Sequence, residues 1–207
     1  MKKKTWVLVI VLAMVFGFAP FVSAKRCFDP YHKGPVGFLY LIEKVPDTWD
    51  PVLKGASGKM QYHIWGEEFS FLFEGHGLEQ GKEYTLIYYP DPWPGAGLIC
   101  LGEGIAYGRG GNVVIWGRKD LGTDLPADYD ANAKAIYPSG AVGAKIWLVL
   151  KSDVNCGTTT EPADSQPPNS LMTGWNPSEY LFEFNLINYY DTTGDNPADD
   201  GAPKKKK

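Results

Sequence analysis

Histidine and cysteine are both scarce in this chain of 207 residues, three of each. There is no CxxC and no cluster of histidines near a cysteine, so a zinc site of ordinary spacing is excluded. HExxH, a GxSxG elbow and a glycine-rich phosphate loop are all missing. With them go the usual signatures of metalloproteases, α/β-hydrolases and nucleotide binders. A basic surplus is also lacking: 20 Lys and Arg stand against 24 Asp and Glu, a net charge of −4. Nucleic-acid partners need a basic footprint and are not expected. No repeat of 20–50 residues is present, which removes solenoids and propellers. After the first residues, no window shows the 3.6-residue period of an amphipathic helix.

What is present begins at the N-terminus. Lys2, Lys3 and Lys4 precede an almost wholly apolar run from Trp6 to Ala19, and Val22-Ser23-Ala24 ends in small residues. This is the layout of a cleavable secretory signal peptide over 1–24. The run falls short of the roughly 20 residues that span a bilayer, and Pro20 breaks it. Cleavage after Ala24 leaves 183 residues and moves the charge to −7, because it removes three lysines and no acid. The expectation is a chain secreted to the cell exterior or the outer face of the envelope, not inserted in the membrane after cleavage.

The rest reads as short strands punctuated by Gly, Pro, Asn and Asp. Val36–Ile42 is an apolar run between prolines. Lys59–Trp65 alternates, with Met60, Tyr62 and Ile64 on one face and His63 on the other, the half-exposed side. Glu68–Glu74 alternates more strictly, turning Phe69, Phe71 and Phe73 one way. Glu83–Tyr89, Leu98–Ala106, Asn112–Trp116, Ala144–Leu150 and Tyr180–Ile187 complete a set of about eight. Many short strands with Gly/Pro turns predict an all-β domain, a single immunoglobulin-like, Greek-key β-sandwich over 25–190. Phe69, Phe71 and Phe73 would face Tyr84, Leu86, Ile146, Leu148 and Leu150 across its core. Residues 157–170 form a polar, proline-rich insertion. Residues 191–207 form a disordered tail, acidic and then lysine-rich.

In an oxidising compartment a cysteine pair forms a disulfide. Three pairings are open, and Cys100–Cys156 is favoured because both residues lie beside candidate neighbouring strands. Cys27 is then the odd thiol, free or available to link a dimer.

Three groups of stretches resemble a family. They are Phe71–Leu78 with Tyr84–Gly95 and Leu98–Gly102, then Leu125–Asp130 with Ala144–Leu150, and then Gly174-Trp175-Asn176-Pro177. Together they are similar to a group of uncharacterised secreted proteins of methanogenic archaea and some bacteria. The similarity covers roughly Val36 to Tyr190. It implies export and a β-rich fold. It implies no activity and no catalytic residue.

Chemistry-bearing residues are few. His76, between Gly75 and Gly77 and near Glu74, is the nearest thing to a catalytic base, but no nucleophile motif accompanies it. It reads as a turn histidine, and no catalytic residue is assigned. Asp128-Tyr129-Asp130-Ala131-Asn132 opens like a calcium loop, with Asp128, Asp130 and Asn132 as candidate ligands. Ala133 then replaces the sharp-turn glycine and Ser139 the bidentate glutamate. A structural calcium is the one cofactor this pattern admits. Aromatics offer a third feature: six of seven Trp and all 12 Tyr lie beyond residue 24. Trp93 is bracketed by Pro92 and Pro94, so its indole is held on a stiff loop. Trp175 stands before Asn176-Pro177, and Tyr89 ends the strand before the Trp93 loop. Rigid aromatics bind a sugar face or a protein partner at low entropic cost.

The composite expectation is a secreted or cell-surface, non-enzymatic domain for recognition or adhesion, with a protein, glycan or envelope component as ligand. The alternatives are a secreted hydrolase with paired carboxylates and a structural envelope protein linked through Cys27.

Overall fold

A computed structural model describes residues 35–127, 130, 143–157 and 170–193. The predicted signal peptide, Cys27, Asp128, Asn132 and most of the proline-rich insertion and tail lie outside them. The described part is all-β, with several sheets. In chain order its strands are β1 (Val36–Ile42), β2 (Ser57–His63), β3 (Trp65–Gly66), β4 (Phe69–His76), β5 (Glu83–Tyr88), β6 (Ile99–Ile105), β7 (Val113–Lys119) and β8 (Ile146–Leu150). Then come β9 (Val154–Asn155), β10 (Leu171–Met172), β11 (Phe182–Glu183) and β12 (Tyr190–Asp191). Helical structure among the described residues is confined to single 3-10 turns at Lys151–Asp153 and Pro177–Glu179. None of their helices is long and apolar enough to cross a membrane.

The larger sheet has the order β11-β1-β2-β4-β7 and the second has β6-β5-β8. Alternation sets which residues face inward. Leu39, Leu41, Met60, Tyr62, Phe69, Phe71 and Phe73 from the first sheet share one core with Tyr84, Leu86, Tyr88, Ile146 and Leu148 from the second. An antiparallel bridge between Leu148 and Leu181 joins β8 to the chain entering β11, so one short segment spans both sheets. On the other side, β6 leads into β7 through a tight reversal closed by Tyr107 and Asn112. Gly111 in this reversal has φ +55°, and a Cβ there would lie 1.8 Å from the Leu78 carbonyl oxygen. Only glycine permits that approach.

Two features depart from the alternation read in the sequence. His63 is buried rather than half-exposed. The chain returns over this corner: Tyr190 N–H donates to Ile64 O (2.9 Å), Thr192 N–H donates to Gly66 O (3.0 Å), and β12 pairs with β3. Asp191, read as the start of the tail, is part of that return and is buried. The second departure is in β5 and β8, whose outer faces, with Thr85, Ile87, Trp147 and Val149, are as buried as the inner ones. Met172, Tyr180 and Phe182, from the segment after β9, are buried with them. Cys100 of β6 is joined by a disulfide to Cys156 at the start of that excursion, with Cα atoms 5.6 Å apart.

Candidate functional site

This excursion does not seal the outer face of β5 and β8 completely. It leaves a cavity of about 730 Å³ lined by Lys44, Trp49, Tyr89, Asp91, Trp93, Lys145, Trp147, Trp175 and Glu183. That volume lies within the range of about 300–1,000 Å³ usual for small-molecule sites.

The floor is a stacked pair. The Tyr89 and Trp147 rings lie 3.9 Å apart between centroids, at 12° to one another. Tyr89 is fixed by its backbone N–H, which donates to Lys145 O at 2.9 Å. Burial, and then the Asp91 carboxylate, push the Tyr89 phenol far above its ordinary value, so it stays neutral. Phe182 packs edge-on to Trp147 at 5.2 Å and to Trp49 at 4.8 Å.

The walls are three indoles that stay partly in solvent: Trp93 is 51% exposed, Trp49 44% and Trp175 43%. Trp175 sits centrally, with ring centroids 5.3 Å from Trp93, 6.2 Å from Trp147 and 6.3 Å from Trp49. Trp49 is held at φ +61°, an uncommon conformation for a bulky residue, where its N–H donates to Val45 O at 2.8 Å.

Each wall is tied down. The loop carrying Trp93 has cis peptides before Pro92 and Pro94. Met172 N–H donates to Pro94 O (2.8 Å), and Gly97 N–H donates to Ser170 O (3.0 Å). The Trp93 loop and the excursion are therefore one bonded unit. The Trp175 loop hangs on Asp153. The Asp153 carboxylate accepts from the Tyr180 hydroxyl (2.5 Å), Asn176 Nδ2 (2.7 Å) and Ser152 Oγ (3.0 Å), and its carbonyl accepts from Thr173 N–H at 2.8 Å. Burial alone would raise the Asp153 pKa. The hydrogen bonds from Tyr180, Asn176 and Ser152 outweigh it and hold the carboxyl below its ordinary value.

The polar lining consists of two lysines and two carboxylates in pairs. Lys145 pairs with Asp91, and its ammonium lies 5.4 Å from the Tyr89 ring centroid and 5.8 Å from that of Trp147. Lys44 lies 3.6 Å from Glu183 Oε1 and 5.6 Å from the Trp49 ring centroid. The other Glu183 oxygen accepts the indole N–H of Trp147. The lining thus has no net charge.

Of the residues singled out in the sequence, Trp93, Trp175 and Tyr89 all line this cavity. Asp130 lies elsewhere and is buried. Its Oδ2 accepts from the Tyr88 hydroxyl at 2.8 Å, and its Oδ1 has no hydrogen-bond partner among the described residues. Its proposed companions Asp128 and Asn132 fall outside the described residues. Among the described residues no group of three His, Cys, Asp or Glu gathers as a metal site. His76 ends β4 and is exposed. Lys44, Trp49, Asp91, Lys145, Trp147 and Glu183 were not singled out. The strongest available signal for them was Lys145, one ionisable residue inside the apolar run Ala144–Leu150, which needs a partner if buried.

No family model matches the chain, and no curated protein or solved structure shows significant similarity to it.

Proposed function

We propose that this is an exported, non-enzymatic recognition domain that holds its ligand in the tryptophan-walled cavity. One observation carries the reading: aromatics from the β1–β2 loop, the loop after β5, strand β8 and the segment after β10 converge on one open cavity of ligand size. Three stretches that carry the family resemblance, around Trp93, Trp147 and Trp175, are among those that wall it. The Cys100–Cys156 disulfide supports an oxidising destination, in keeping with the N-terminal signal layout. We read the two main sheets as the two layers of a sandwich, with the binding face on the outside of the smaller one.

A second reading has a specific observation in its favour. Asp91 and Glu183 line the same cavity, as a glycosidase pair would. Such an enzyme needs one carboxyl placed to hand a proton to its substrate. Here both carboxylates are engaged within the protein, Asp91 by Lys145 and Glu183 by Lys44 and by the Trp147 indole N–H. Binding is therefore the better-supported function.

The test is retention on an array of immobilised glycans and envelope polysaccharides. The wild-type chain is expected to be retained, and Trp93→Ala to bind at least about tenfold more weakly, the loss typical of an interface hot spot. Equal retention of the two proteins rejects the cavity as the binding site. Turnover of an aryl-glycoside panel, abolished by Asp91→Asn, would establish the hydrolase instead.

A further inference from the structure

We infer that the ligand is an uncharged saccharide, a reading that rests on the cavity being the binding site. The lining is strongly aromatic and carries four charged side chains, which constrain the ligand charge from both sides. Aromatic cages attract cations. In this one the lysines of the chain itself already lie over the rings, Lys44 over Trp49 and Lys145 over Tyr89 and Trp147. A ligand ammonium would meet two positive charges and would have to displace a lysine from both a ring and a carboxylate.

An anionic ligand fares no better. Each lysine is already paired with a carboxylate in the same lining, so a uronate or sulfate entering the cavity meets two carboxylates as well as two ammonium groups. A purely apolar ligand would take the last 9–16% of surface that four charged side chains keep in solvent and return no hydrogen bonds to them.

A neutral saccharide avoids all three penalties. Its C–H faces lie on indoles, and Trp49, Trp93 and Trp175 keep 43–51% of their surface in solvent. Its hydroxyls both donate and accept. The Lys44–Glu183 separation of 3.6 Å exceeds hydrogen-bond length, so the Lys44 ammonium keeps N–H donors that a hydroxyl can use. Asp91 and Glu183 accept, while Lys44 donates.

Isothermal titration calorimetry on the purified chain tests this with defined probes: cellotriose, maltotriose, mannotriose and chitotriose as neutral saccharides, trigalacturonate as anion and choline as cation. At least one neutral trisaccharide is expected to bind. Its affinity should change little between low and high salt, fall at least about tenfold in Trp175→Ala, and be largely restored in Trp175→Phe. Binding of choline or trigalacturonate alone, lost in Trp175→Ala, overturns the uncharged class while leaving the cavity as the site. Binding of any probe that survives both Trp93→Ala and Trp175→Ala overturns the cavity itself. Absence of heat with every neutral saccharide, in a chain whose circular dichroism shows it folded, overturns the class.

Discussion

Asp153 shows how one buried carboxylate can position a binding residue that it does not touch. Its acceptors hold Tyr180, Asn176, Ser152 and the backbone of Thr173, and these bonds fix the turn from which Trp175 projects. Because the folded carboxyl titrates below its ordinary value, its contribution to stability is fully present above the unfolded pKa of about 3.9. The contribution is lost as pH falls through the lower folded value. Asp153→Asn should lower the melting temperature at neutral pH, by an amount corresponding to about 1–3 kcal/mol for hydrogen-bonding groups left poorly paired. It should also flatten the acid limb: wild type loses stability below about pH 4 more steeply than the variant. Thermal melts from pH 2.5 to 7 (a range of about 4.5 units around that pKa) check this. Parallel acid limbs in the two proteins would show that Asp153 is not the titrating group.

At the scale of elements, the strands that alternate or run apolar could be read from the sequence, while the layer covering them could not. β1 has the predicted bounds Val36–Ile42, and Phe69, Phe71 and Phe73 face the core as their period of two requires. Non-local cover has no such period. Trp147 is covered by Trp175 and Phe182, from a segment that pairs mostly through two-residue strands and isolated bridges, and a side-chain pattern cannot announce such contacts. The prolines around Trp93 gave the loop, but its hydrogen bonds to Ser170 and Met172 join residues far apart in sequence. Gly95 makes this loop's dependence on the cavity floor testable. It has φ +72°, and an added Cβ would lie 2.4 Å from the Tyr89 ring. Gly81 has φ +86° with nothing within 4 Å of the same Cβ. Gly81→Ala therefore reports backbone strain alone, about 1 kcal/mol or somewhat more, whereas Gly95→Ala adds displacement of a ring stacked on Trp147. The expected result is a clearly lower melting temperature for Gly95→Ala and a changed near-ultraviolet circular dichroism spectrum, which Gly81→Ala leaves intact. Equal effects would mean that the loop yields without disturbing the floor.

For the whole molecule, the decisive connection is Cys100–Cys156, which closes 56 residues of sequence separation and fastens the excursion to β6. Restricting the unfolded chain over that span is worth about 4 kcal/mol in the loop-entropy model. The same link bears on the cavity, because the excursion it anchors donates to Pro94 from Met172 and accepts from Gly97 at Ser170, and so leads to Trp93. Loss of the disulfide should therefore have two consequences of different kinds. The double variant Cys100→Ser, Cys156→Ser should unfold in urea with a stability lower by about 4 kcal/mol. Where it remains folded, it should also bind any ligand of the cavity more weakly, because the Trp93 and Trp175 walls must then be ordered at the expense of binding. A variant that loses the stability but binds with wild-type affinity would locate the role of the disulfide in the unfolded chain alone. In that case β10, the Met172–Pro94 bond and the Asp153 network suffice to hold the walls in place.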